Sequence, residues 1–240
     1  MKNMKFLTVA IIFLGVTACV DGQMRKTVHG NKHVTTLERK TGPFTGIKVS
    51  TGIDVFLKQG EENGTLKVET DENLQEYILT EVRDGVLNVY TNVNIRDAER
   101  KRVYVTISDL RSVTTSSAGD VISESPVKTD IIKLKATSAG NIKLELYASE
   151  IKADITSSGD LTLTGEADLL EAHLSSAGDL NAFELKVREA DISVSSAGNA
   201  DVTVSERIKA RASSAGDINY RGNPKYIDAH SSSAGGVHKR

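Results

Sequence analysis

The chain has 240 residues, room for one elongated all-β domain or two compact ones, with no Trp, five Phe, six Tyr and three Pro against 19 Gly, so its core must be built from Ile, Val, Leu and Ala. Thirty Lys and Arg are interspersed with 32 Asp and Glu, for a formal net charge of −2, which leaves no global field to hold a nucleic-acid backbone. The single Cys excludes an intramolecular disulfide and any CxxC metal or redox site.

In chain order, Lys2 and Lys5 precede an apolar run from Phe6 to Val16 that is too short to span a bilayer permanently. Residues 1–18 therefore read as a secretory signal. The run ends in Val16-Thr17-Ala18-Cys19, which resembles the lipobox of bacterial lipoproteins, and Cys19 becomes the expected lipidation site and first mature residue. An ordinary signal-peptidase cleavage beside an incidental Cys is the alternative. Removing Lys2 and Lys5 with the signal leaves 28 basic and 32 acidic residues, a net of −4. Val20, where an Asp would favour inner-membrane retention, points to the outer membrane, facing either the periplasm or the medium. Residues 19–42 lack periodicity, are rich in polar and basic residues, and run into Gly42-Pro43, so they read as a lipidated Cys and flexible tether.

From residue 43 the pattern becomes strand-like. Phe44 to Leu57, Thr65 to Thr70, Gly85 to Thr91 and Arg102 to Ser108 alternate with period two, and residues 43–110 are expected to form degenerate coils. Between them, Asp71 to Val82 carries Leu74, Ile78 and Val82 at spacing four, which predicts a short N-terminal helix able to cover an open end.

Residues 111–240 hold one phrase seven times, SSAGDV at 116–121, TSAGNI at 137–142, TSSGDL at 156–161, SSAGDL at 175–180, SSAGNA at 195–200, SSAGDI at 213–218 and SSAGGV at 232–237. Its glycines, Gly119, Gly140, Gly159, Gly178, Gly198, Gly216 and Gly235, recur every 18 to 21 residues, a solenoid period. Alternation is kept through each copy: Ile151, Ala153, Ile155, Ser157, Gly159, Leu161 and Leu163 share one face of the ribbon. A ribbon this narrow buries its apolar face only by stacking on its neighbours, which predicts an all-β, right-handed parallel β-helix with coils of about 19 residues. In that register Ser117, Ser138, Ser157, Ser176, Ser196, Ser214 and Ser233 form an inward column beside the glycines. The competing reading makes the phrase a hairpin turn with Gly left-handed, and gives antiparallel blades.

Together F-x-G-I-x-V-x-x-G-I-D-V at Phe44 to Val55, N-L-x-x-Y-I at Asn73 to Ile78, D-G-x-L-x-V at Asp84 to Val89 and the recurrent S-A-G-D resemble the head GIN domain family of auto-transporter-like adhesins, common among lipid-anchored proteins of the Bacteroidetes type. The resemblance covers residue 43 to the end. It implies a right-handed β-helical domain displayed by the cell envelope, with adhesion as the implied role, and it carries over no catalytic or binding residue.

Asp120, Asn141, Asp160, Asp179, Asn199 and Asp217 form one outward column, read either as corner caps accepting backbone N–H groups or as calcium ligands between rungs. His29 and His33 lie in the tether without a Cys or carboxylate at metal spacing, and His173, His230 and His238 are scattered. Arg96 to Arg102 is a basic-leaning loop able to touch phosphate-bearing lipopolysaccharide. No nucleophile elbow or convergent His, Ser and acid set emerges. The expectation is a non-enzymatic, adhesin-like binding or structural module without cofactor or metal. Its expected partners are the membrane, through the lipid, and a glycan or extracellular protein, with homo-oligomers allowed. A polysaccharide-lyase-like β-helix enzyme is the alternative, distinguished by a cleft of convergent acids and bases.

Overall fold

A computed structural model describes residues 25–240; the signal at 1–18 and Cys19 lie outside the described residues. The chain is a parallel β-solenoid. Long strands Asn141–Thr156, Asp160–Leu174, Asp179–Val194 and Asn199–Ala212 pair in parallel with the strands before and after them, each copy of the repeat set on the next: Ile142↔Leu161↔Leu180↔Ala200↔Ile218. Away from the bend in the middle of each, alternate side chains along these strands are buried, and the inward Ile, Leu, Val and Ala of all rungs form one continuous core. Removing each large aliphatic side chain from water contributes about 1.5–3 kcal/mol, and only stacking achieves this for so thin a ribbon.

The repeated phrase is a turn inside the solenoid. Gly119, Gly140, Gly159, Gly178, Gly198, Gly216 and Gly235 each donate their N–H to the carbonyl three residues back, at 2.9–3.4 Å. Both central residues are left-handed in all seven copies, for example Ser176 at φ 53° and Ala177 at φ 59°. This is the type I′ geometry of a two-residue hairpin loop, yet the strands it joins pair with other rungs in parallel. The expected inward serine column is corrected accordingly: all seven serines are exposed at the turn, because two left-handed residues swing outward together and return the chain in phase at the glycine. Left-handed Ser and Ala cost about 1–2 kcal/mol each. Successive turns bond each other in compensation, the N–H of Ala118, Ala139, Ser158, Ala177, Ala197 and Ala215 donating to the Ser carbonyl of the following turn at 3.0–3.2 Å.

The glycines point inward, as expected, and are needed for close approach. A Cβ on Gly159 would lie 2.5 Å from the Ala136 carbonyl oxygen, and one on Gly178 would lie 2.8 Å from that of Ile155. At the opposite edge the strands bend, with register shifts between Thr162 and Gly165 and between Ala182 and Lys186.

The first part of the chain departs from sequence order. Gly46–Val49 and Asp54–Gln59 form a rung that lies between the later rung Val86–Thr91 with Lys101–Ile107 and the rung Ser112–Thr115 with Asp120–Ser123. Thr51 and Gly52, both left-handed, make the turn of that early rung, so Ser50 to Asp54 is a degenerate further copy of the repeat, with Asp54 opposite Asp120.

Three expectations are corrected at this end. Thr65–Asp71 is an antiparallel strand against Lys101–Ile107, outside the parallel stack. The expected helix is one turn of 3-10 helix, Glu72–Leu74, followed by the strand Ile78–Arg83, which pairs antiparallel with Val86–Thr91 across left-handed Asp84-Gly85. Leu74 and Ile78 are buried as the spacing implied, but the Asp-Gly pair and the open strand edge favour a hairpin. The segment read as a flexible tether is folded from Thr27 onward: Val34–Lys40 pairs antiparallel with Thr65–Asp71, and Thr27–His29 pairs in parallel with Asn94–Arg96. Thr65–Asp71 and Ile78–Arg83 cover the edges of the terminal rung, Val86–Thr91 with Lys101–Ile107, where antiparallel pairing ends the parallel ladder, and Val34–Lys40 extends that cover. Buried Asp71 pins them, its carboxylate accepting the N–H of Lys32 at 2.8 Å and of Glu99 at 2.9 Å. The described residues contain no helix long and apolar enough to cross a membrane.

Candidate ligand-binding surface

Three outward surfaces gather polar side chains. The first is the acidic column, which Asp54 extends by one rung. Its like charges are separated by interleaved amides: Asn141 Nδ2 donates to Asp120 Oδ1 at 2.8 Å, and Asn199 donates to Asp179 Oδ1 through Nδ2 at 3.0 Å and its backbone N–H at 3.2 Å. At Asp120 and Asp179 the acceptor is thus used by the Asn of the next rung, and Asp179 alone also accepts a backbone N–H, as the corner-capping reading expects. Where two acids adjoin, the cost remains: burial and then Asp179 push the Asp160 carboxyl above its ordinary range, and burial and then Asp120 do the same to Asp54, against the lowering effect of Lys101 and Arg102. Among the described residues no three His, Cys, Asp or Glu are grouped to hold a metal.

The second surface, about 520 Å³, flanks the turns, where Asp154, His173, Ser193, Arg211 and His230 stand opposite one another on successive rungs beside a row of Thr and Ser hydroxyls. Asp228 draws two of its groups away, lying 2.8 Å from His230 Nε2 and 3.7 Å from Arg211. The other histidines stay apart: His29 Nδ1 is 2.6 Å from Asp97, and His238 is 3.7 Å from Asp217.

The third surface is a groove of about 760 Å³ along the bend edge, created by the register shifts there. Its floor is apolar, Ala167, Val187 and Val204 being buried. Its rim carries Tyr147 at one end, with 39% of its surface exposed, then the pair Glu166–Lys186 and the cluster in which Arg188 meets Asp168 and Glu206 at 3.2 Å each. The Arg221 guanidinium stacks nearby on Phe183, 3.9 Å from the ring centroid.

The rim brings acids and bases together, as a lyase cleft would, but pairs them with one another. Glu206 and then Asp168 hold the Arg188 proton more tightly than usual, and Arg188 keeps the Glu206 carboxyl below the ordinary range. An arginine so held is no base, and the three groups are joined to one another as an ion-pair cluster. Sequence reading missed this groove. Its signals were Gly165 and Gly222, left-handed at φ 108° and 96°, where a Cβ would strike the carbonyl oxygens of Leu146 and Val204.

Comparison with solved structures shows the same fold. A "putative adhesin" from Bacteroides fragilis is similar over 89% of this chain and 100% of its own, at 20% identity and a TM-score of 0.82. A "putative lipid binding protein" from Parabacteroides distasonis matches 90% of this chain and 100% of its own, at 23% identity and a TM-score of 0.75. A "putative adhesin" from the same species matches equal shares at 24% identity and a TM-score of 0.73. Among curated proteins nothing matches the chain. Residues 43–224 match the family described as "Putative auto-transporter adhesin, head GIN domain", and the chain belongs to that family.

Proposed function

We propose that the protein is a lipid-anchored, outer-membrane, non-enzymatic binding module of the adhesin type, which holds an extended glycan along its bend-edge groove. The groove itself carries the reading. It runs across several rungs, offers an apolar floor for sugar faces and an exposed Tyr147 ring, and lines them with carboxylates and guanidinium groups for hydroxyls. Arg188 is held between Asp168 and Glu206 and is withheld as a base, which weighs against the lyase alternative.

A glycan and matrix-protein array probed with the chain from residue 19 onward, carrying Cys19→Ser, tests this. Binding to a defined glycan class that falls about tenfold in Tyr147→Ala is the expected result. Binding only to protein spots, or glycan binding indifferent to Tyr147→Ala, overturns it, and release of unsaturated sugar products would establish the lyase.

A further inference from the structure

At the capped end a hollow of about 500 Å³ is lined by Arg25, Thr27, Thr51, Thr91, Asn94 and Lys101, with no carboxylate among the described residues of its wall. Several other cations at this end are engaged elsewhere: Lys32 with Glu99 at 3.9 Å, Arg100 and Arg102 with Glu69 at 3.1 and 4.0 Å, and Lys26 with the Tyr77 hydroxyl at 3.2 Å. Arg25 and Lys101 have no such ion pair among the described residues, though Lys101 shares its field with Asp54. Gly52 makes the room for that ammonium, since a Cβ there would lie 3.0 Å from Lys101 Nζ.

The hydroxyls sharpen the chemistry. Thr51 Oγ1 donates to the Ser50 carbonyl at 2.6 Å, whereas Thr27 Oγ1 accepts from Asn94 Nδ2 at 3.4 Å and keeps its own proton for a ligand. Two cations, a free hydroxyl proton and the second amide proton of Asn94 make a wall of donors, which suits a phosphate oxyanion. Thr27–His29 is paired to Asn94–Arg96, and the six peptide steps that separate Cys19 from Arg25 in the sequence can extend to at most about 20 Å.

We infer that this hollow is a phosphate site for anionic lipid headgroups of the membrane that holds the protein, setting the capped end on the bilayer and the repeat coils away from it. The choice of a headgroup as the source of phosphate rests on the anchor reading of Cys19. A membrane-adjacent cation gains from the anionic surface within about one Debye length, so the contact weakens with salt.

The experiment uses the chain from residue 19 onward, which includes every described residue, with Cys19→Ser so that no acyl chain contributes. It is sedimented with vesicles of phosphatidylcholine alone or with phosphatidic acid. Binding to the anionic vesicles only, lost with salt and reduced about tenfold by Arg25→Gln with Lys101→Gln but not by Lys135→Gln with Lys143→Gln, is the expected result. Equal loss in the two double variants would reduce the effect to overall charge and overturn the site. No vesicle binding overturns it as well. Titration with inorganic phosphate that responds to Arg25→Gln with Lys101→Gln, without vesicle binding, would assign the hollow to free phosphate and overturn the headgroup source. Labelling of the wild type by a palmitate analogue reports on the anchor separately, so failure of the anchor and failure of the site are told apart.

Discussion

Thr115 shows how strictly the inward face is held to apolar residues. It occupies the inward position before the turn that later rungs fill with Ala136, Ile155, Leu174, Val194 and Ala212, and its buried hydroxyl has no hydrogen-bond partner. An unsatisfied buried hydroxyl costs about 1–3 kcal/mol, so Thr115→Val, which keeps the shape, should stabilise the protein by about 1 kcal/mol. A urea titration checks this as a higher midpoint at unchanged slope; a lower midpoint would mean the hydroxyl has a partner. Asp160 carries a smaller penalty. Its proton is held more tightly in the folded chain than in the unfolded one, so its contribution is most favourable at low pH and is lost as pH rises through the raised folded value. Asp160→Asn should therefore stabilise at pH 7, by no more than about 0.5 kcal/mol after solvent screening. The gain should vanish near pH 3, where the carboxyl is already protonated. Melting curves at both pH values decide the matter, and a gain persisting at low pH would refute the repulsion account.

At the scale of the element, the turn combines an unfavourable local conformation with favourable stacking. Replacing Ser176 and Ala177 together by Asn and Gly, the pair that tolerates two left-handed residues, should stabilise by about 1 kcal/mol while leaving the inter-turn backbone bonds in place. Gly178→Val should cost about 3 kcal/mol or more, because its Cβ would meet the Ile155 backbone at 2.8–2.9 Å. Thermal denaturation separates the two, and similar tolerance at 177 and 178 would contradict the turn geometry. The cap depends on one buried carboxylate in the same way. Asp71→Ala leaves the Lys32 and Glu99 N–H groups without their acceptor and should destabilise by about 2–3 kcal/mol. Hydrogen exchange should then accelerate first in Val34–Lys40 and Thr65–Asp71; uniform acceleration along the solenoid would show that the cap does not open separately.

For the whole molecule, the proposals divide the solenoid by role, with anchor and phosphate site at the capped end and the glycan groove along the later rungs. The anchor is the most direct element to test: Cys19→Ser should abolish labelling by a palmitate analogue, whereas persistent labelling would remove the lipoprotein assignment. Several acyl chains on one residue, at about 0.8 kcal/mol per buried methylene, would hold the protein stably at the membrane.

The seven-fold phrase and the period of two in the strands on either side of it were enough to read the parallel stacking, the coil length and the inward glycines, because both the alternation and the need for small residues are local and repeat with every rung. Asp84-Gly85 carried a hairpin signal that went unread, and the spacing of four in Leu74, Ile78 and Val82 says nothing about a waiting strand edge. Tertiary structure alone decided the rest. That the rung 46–59 lies between 86–107 and 112–123 depends on which edges remain open once all rungs compete for partners, a property of no single segment. The bend groove likewise arises from register shifts between neighbouring rungs, so Tyr147, Lys186 and Arg188 become neighbours through stacking, without any motif to announce them.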